Sequence, residues 1–196
     1  MIGSERGIEA DGHVWTVALP QFADGISDGG GALAQLDALS AKLGVELPVR
    51  YRNLAPIVRG LCPQRSAFVV WDPPEGQHHG PNGVPDLGKG WVRNLGAFAL
   101  LGAESPVADA ASTVVAQLAL LEGVAPGLFP FAFDLRGNLV CLDYGENWED
   151  RVPSVAYYDR ARQIGDDVLP VSPSFPEFLD ELMDGEANEG GLETKR

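Results

Sequence analysis

The chain has 196 residues, 45% of them hydrophobic, which suits one domain of the usual roughly 100–200 residues and is enough to bury a core. Its 28 acidic residues outnumber 14 basic ones, and the net charge of −14 disfavours nucleic acid and anionic lipid as ligands, since both carry the same sign. The 24 glycines and 15 prolines stay below the combined share of roughly 25–30% that marks low complexity, so they predict a loop-rich fold.

Residues 1–29 read as an N-terminal extension in which His13 to Leu19 suggests a short edge strand. Glu5, Arg6, Glu9 and Asp11 interrupt the first 14 residues, leaving no apolar core for a secretory signal, and the expected location is cytoplasmic. Leu33, Leu36, Leu39 and Leu43 then recur at helical spacing, and Gly44 is a natural stop. Pro48 suits the first turn of a second helix, which runs to about Arg59. Gln64 to Trp71 is β-branched and aromatic enough for a strand closed by Asp72-Pro73-Pro74.

Residues 72–105 form a long, glycine-rich insertion, within which Trp91 to Leu101 is compatible with a strand or with a strand and turn. Ser105-Pro106 opens a helix through Val114, Val115, Leu118 and Leu121 to a stop near Gly123, and it should pack on the sheet. The longest weakly charged stretch, residues 107–121, contains Asp109 and is shorter than the roughly 18 apolar residues that span a bilayer, so no membrane partner is expected.

Residues 128–145 carry the clearest pattern. Phe129, Phe131 and Phe133 alternate with Pro130 and Ala132, and Leu139 to Leu142 is a compact apolar run, which together predict a hairpin. Its turn falls at Asp134 to Gly137, where Gly137 can take the positive φ such a turn often needs and Asp134 can bond the backbone amide two residues on. Residues 152–159 supply another strand, and Ser174 with Glu177 forms a capping box for a last helix whose buried face is Phe175, Phe178, Leu179, Leu182 and Met183. Residues 185–196 lack apolar content and read as a flexible acidic tail. Helices and strands in separate runs with hairpin connections imply a single α+β domain with a largely antiparallel sheet and helices packed against one face.

Catalytic and cofactor motifs are weak throughout. Residues 83–90 imitate a phosphate loop, but Gly90 lacks the hydroxyl that holds magnesium, Pro85 removes a cradle amide and Asp86 repels phosphate. Gly29-Gly30-Gly31-Ala32-Leu33-Ala34 fits a loose dinucleotide fingerprint without the buried strand before it, so it reads as a helix entry. His78 and His79, near Asp72, Glu75 and Asp86, have ligand chemistry without ligand spacing, and His13 is distant, so no metal and no cofactor is expected. Cys62 and Cys141 read as reduced, mostly buried thiols without a base to activate them. No G-x-S-x-G, H-E-x-x-H or paired C-x-x-C occurs.

Charge is unevenly spread: residues 1–98 carry a net −2 and residues 99–196 a net −12. Asp143, Glu146, Glu149 and Asp150 cluster after the hairpin, with Tyr144 and Trp148 between them. Paired carboxylates suit a hydrolase, but that chemistry also needs a cleft and divergent pKa values. The same set suits protein recognition, in which aromatic rings anchor and acids steer. The plainer alternative is that the two rings cover a sheet edge and the acids confer solubility.

The hairpin, together with Pro153 to Asp159 and Ser172 to Leu182, resembles the closing half of a SUKH domain, the superfamily that includes the Smi/Knr-type fungal regulators. Ala34 to Lys42 followed by Leu43-Gly44-Val45-Glu46-Leu47-Pro48-Val49-Arg50-Tyr51 is similar to its opening pattern of a helix, LG, LP and a tyrosine. The domain would then span 30–184. Two features depart from the pattern: only Arg59-Gly60 stands where the family has Asn-Gly-Gly, and the middle is unusually long. The resemblance implies an α+β immunity protein that blocks a cognate toxin, often a nuclease, by direct contact and without catalysis. The candidate surface is Asp143, Tyr144, Glu146, Trp148, Glu149 and Asp150, with Asp159 and Asp180 outlying, and the expected partner is a basic toxin domain. A regulator or scaffold of the same fold without a toxin is the alternative that the fungal relatives imply. Oligomeric state is not legible.

Overall fold

After the first two helices the strands follow one another in long sequence runs, and neighbours in sequence become neighbours in space. The computed structural model describes residues 8–17, 29–71, 90–99, 114, 118, 121, 127–145, 152–162 and 167–184. Its elements are β1 (Ile8–Ala10), β2 (His13–Val17), α1 (Gly29–Leu43), α2 (Val49–Val58), β3 (Leu61–Pro63), β4 (Ala67–Trp71), β5 (Gly90–Phe98), β6 (Leu128–Asp134), β7 (Leu139–Asp143), β8 (Ser154–Tyr158), β9 (Val168–Ser172) and α3 (Phe175–Asp180). Strands β1-β2-β3 form a small sheet and β4 to β9 a six-stranded meander in chain order. Every pairing is antiparallel, as the α+β reading requires.

The β6–β7 hairpin turns as its residues dictate. Asp134 Oδ1 accepts from the amides of Arg136 and Asn138, each at 2.8 Å, and Gly137 adopts φ +82°. One expectation fails locally. Phe129 and Phe131 enter the main core, whereas Phe133 packs on the opposite side of the sheet with Cys141, Leu128 and Leu139. A bulge between Pro130 and Ala132 inserts one extra residue into β6 and so reverses the alternation after Phe131. Pro130 lacks an N–H and weakens the ladder at that point.

Phe131 is the centre of an aromatic cluster, with ring centroids 5.3 Å from Phe175, 5.5 Å from Phe98, 5.6 Å from Phe178 and 5.8 Å from Tyr51. These side chains come from β5, β6, α2 and α3, so the sheet and the helices share one apolar centre. The meander also curls. Beyond α3 the chain returns to β4, where Ala67 and Met183 exchange two backbone hydrogen bonds of 3.0 and 2.8 Å. The last helix is therefore shorter than its apolar pattern suggests: Leu182 is buried, but Met183 is in extended pairing. Ser174 Oγ accepts from Glu177 N at 3.3 Å, which is one half of the expected capping box.

The small sheet joins the same core. Trp15 is fully buried, its ring meets Phe98 edge-on at 5.0 Å, and its indole N–H donates to Ala10 O at 3.0 Å. Arg50 of α2 fastens the β1–β2 turn from outside, pairing with Asp11 while donating to Pro176 O and Asp180 Oδ1, each at 2.9 Å. Val114, Leu118 and Leu121 are helical, Val114 in the main core and Leu121 in the second cluster, while the rest of the helix expected from Ser105 to near Gly123 lies outside the described residues. Among the described residues no helix is long and apolar enough to cross a membrane.

The two ends of the meander differ in what they present. At one, hereafter the loop end, lie Gly127, Asp143 and Ser154. At the other, the turn end, lie the Asp134 to Asn138 turn and the connection that begins at Asp159.

Candidate partner-binding surface

The loop end is built to fix how the chain leaves β7. Asp143 Oδ1 accepts the amide of Gly145 at 2.8 Å, forming a short polar turn right after the strand. Gly145 adopts φ +69°, and its carbonyl lies directly against Gly127. Gly127 O in turn accepts the amide of Tyr144 at 3.0 Å. The Tyr144 ring is buried, and its hydroxyl donates to Glu46 O at 2.9 Å, tying the exit of β7 to the connection between α1 and α2. Burial pushes the Tyr144 hydroxyl well above its ordinary pKa, so it remains a neutral donor.

Tyr144 therefore has no face to offer a partner. It is 1% exposed, and its role at this end is to brace the chain rather than to anchor a ligand. Replacing it with Phe removes one hydrogen bond from a buried setting and is expected to cost about 1 kcal/mol, with the midpoint of thermal unfolding lowered by roughly 2–4 °C. Calorimetry of the purified variant checks this.

Asp143 is half-buried and its carboxylate is occupied by the turn, while Val152 is 83% exposed. Glu146, Trp148, Glu149 and Asp150 lie outside the described residues, between the fixed points Gly145 and Val152.

Of the two outlying acids, Asp159 is not brought to this end. Asp143 pairs with Ser154, and Asp159 lies five residues further along, about 17 Å away at the usual strand rise of about 3.3 Å per residue. There Asp159 accepts the amide of Ala161 at 3.0 Å and pairs with Arg162 at 3.7 Å. Asp180 belongs to the Arg50 cluster, whose guanidinium hydrogen bond holds its carboxyl below the usual carboxylate range. Sequence reasoning missed Gly127 and the Glu46 carbonyl. The Tyr144–Glu46 bond joins residues 98 apart, and no local pattern announces it.

The other chemical candidates resolve quietly. Both cysteines are free, Cys141 buried and Cys62 half-buried. Burial pushes the Cys62 thiol up to about 11 and that of Cys141 well above its ordinary value. A thiolate is the reactive form, so both should react with a chromogenic disulfide reagent far more slowly in the native protein than in denaturant. Rapid native labelling of either would contradict their placement. The triple glycine enters α1, as its sequence suggests. His78, His79 and the phosphate-loop imitation at 83–90, apart from Gly90, lie outside the described residues, and among those described no group of three or more His, Cys, Asp or Glu side chains is set to hold a metal.

The model of the SMI1 / KNR4 family (SUKH-1) matches residues 30–181. The chain matches no curated protein and no solved structure.

Proposed function

The chain belongs to the SMI1 / KNR4 family (SUKH-1), and from that premise we propose that it is a protein-binding module of the immunity type, blocking a cognate toxin by direct contact at the loop end. The observation that carries this reading is the charge asymmetry. Residues 99–196 hold a net −12, and Asp143, Glu146, Glu149 and Asp150 fall within eight consecutive residues that leave β7. Such a group accelerates encounter with a basic surface, and a nuclease must carry one to hold its own substrate. Trp148 supplies the aromatic anchor among these acids, Glu146, Glu149 and Asp150 pair with the partner, and Asp143 and Tyr144 hold the root of the segment in place. Asp159 and Asp180 add only to the long-range field. Family membership supports contact rather than turnover as the mode of action.

Capture of partners from the native cell with a tagged protein, at low and at high salt, tests this reading. It predicts one basic domain, recovered less readily at high salt, and encoded beside this chain. Recovery of neutral partners only, independent of salt, would instead favour a regulator or scaffold with the same fold.

A further inference from the structure

The loop end does not stop at the sheet. The connection between α1 and α2 reaches it through the Tyr144 hydroxyl, which donates to Glu46 O at 2.9 Å. That connection is held at several points. Gly44 closes α1 at φ +69°, the Val45 amide donates to Ser40 O at 3.1 Å, and the Ser40 hydroxyl donates to Val45 O at 2.5 Å. Val45 and Leu47 are both buried, and Glu46 between them is exposed. The backbone of Glu46 is therefore fixed while its side chain faces solvent.

The Glu46 carboxylate has no counter-ion, although this stretch is rich in cations. Residues 30–71 carry five bases, Lys42, Arg50, Arg52, Arg59 and Arg65, against two acids, Asp37 and Glu46. Arg52 takes both oxygens of Asp37, at 2.7 and 2.8 Å, Arg50 goes to Asp11 and Asp180, and Arg65 to Asp184 at 3.9 Å. Among the described residues no ion pair involves Glu46, and Lys42, four positions earlier, does not pair with it. A fixed, exposed and unpaired acid is preorganised for a cation supplied from outside. Two aliphatic side chains accompany it at this end. Val49 opens α2 three residues on and is 70% exposed, and Val152 precedes by two residues Ser154, the partner of Asp143 in the ladder. Tyr144 joins the two sides, since its backbone follows Asp143 and its hydroxyl ends at Glu46. A standard interface covers about 800 Å² on each partner, wide enough to take in both.

We propose that the recognition surface of the loop end, on which this inference rests, extends onto the α1–α2 connection. Its occupant is a basic polypeptide segment with aliphatic side chains. Glu46 pairs with a cation of that segment, and Val49 and Val152 pack against its aliphatic groups. Tyr144, itself buried, is a positioning residue that acts by fixing the backbone of Glu46. A nucleic acid carries the wrong sign for this site.

The test uses the full chain and two fluorescein-labelled decapeptides, one alternating lysine with leucine and one alternating lysine with serine, followed by anisotropy at low salt. Wild type should bind the lysine–leucine peptide more tightly than the lysine–serine peptide of equal charge, and V49S/V152S should remove that difference. E46Q should weaken binding of both about threefold, while E193Q, which removes the same charge elsewhere in the sequence, should change neither. Y144F should weaken binding about twofold in the wild-type background and not at all in the E46Q background, because its effect passes through Glu46. A purely structural role for Tyr144 would give the same loss in both. Equal affinity of wild type for the two peptides, equal losses in E46Q and E193Q, or independent effects of Y144F and E46Q each overturns the proposal. Glu46, Val49 and Val152 are exposed, so circular dichroism of their variants should match wild type, and they decide the matter alone if Y144F does not fold. The E146K/E149K/D150K variant separates this inference from the reading beneath it. Weaker peptide binding by that variant but not by E46Q removes the extension and leaves recognition at the loop end standing, whereas no loss in either removes both.

Discussion

Gly127→Ala should lower the stability of the fold by about 2–5 kcal/mol, the sum of a left-handed conformation costing roughly 1–2 kcal/mol for a residue with a Cβ and overpacking costing roughly 1–3. Gly127 adopts φ +92°, and a Cβ placed there overlaps the carbonyl oxygen of Gly145. The obstacle is backbone, so no rotamer change relieves it. Gly137→Ala is the control. It has φ +82° but open space around the added carbon, so only the conformational cost applies, about 1–2 kcal/mol. Urea denaturation of the two variants separates close approach from backbone conformation, and equal losses would contradict the contact between Gly127 and Gly145. Because that contact sets the root of the segment carrying Glu146 to Asp150, the Gly127 variant should also bind the partner less tightly than its residual fold predicts.

The second large effect is Trp15→Ala, expected to cost about 3–5 kcal/mol, the usual range for truncating a fully buried aromatic side chain. Trp15 lies outside residues 30–181, yet it is fully buried against Phe98 at 5.0 Å, and β2 pairs with β3 from Trp15↔Pro63 to Val17↔Leu61. A loss that large means the first hairpin shares the cooperative core. A loss below about 1 kcal/mol, within the range of ordinary surface substitutions, would make the hairpin an appendage.

Local chemistry was legible where it is self-contained. The Asp134 to Gly137 turn, the Ser174 cap, the stop at Gly44 and the leucine stripe of α1 all depend on residues within a few positions of one another. The second helix differs only at its start, where Pro48 caps α2 instead of entering its first turn. Strands β1, β3 and β9 were not legible. They are short, two contain proline (Pro63 and Pro170), and β3 pairs with a strand remote in sequence, Leu61 opposite Val17. The bulge that turns Phe133 away from Phe131 had no signal beyond Pro130 itself.

For the candidate surface the difference has the same origin. Sequence spacing grouped Tyr144 with the acids as an aromatic that could anchor a partner, but period two along β7 cannot say whether the residue just past the strand turns out or in. The fold turns it in, because the α1–α2 connection presents the Glu46 carbonyl at hydrogen-bonding distance. Asp159 and Asp180 joined the set by charge alone; the register separates Asp159 from it, and Asp180 is engaged by Arg50.

The most direct test of recognition at the loop end is the association rate of the captured partner with wild type and with the E146K/E149K/D150K variant, measured over a range of salt. Steering by these acids predicts a wild-type rate that falls as salt rises, and a variant at least tenfold slower at low salt whose rate barely depends on salt. Equal rates and equal salt dependence for the two proteins would contradict it.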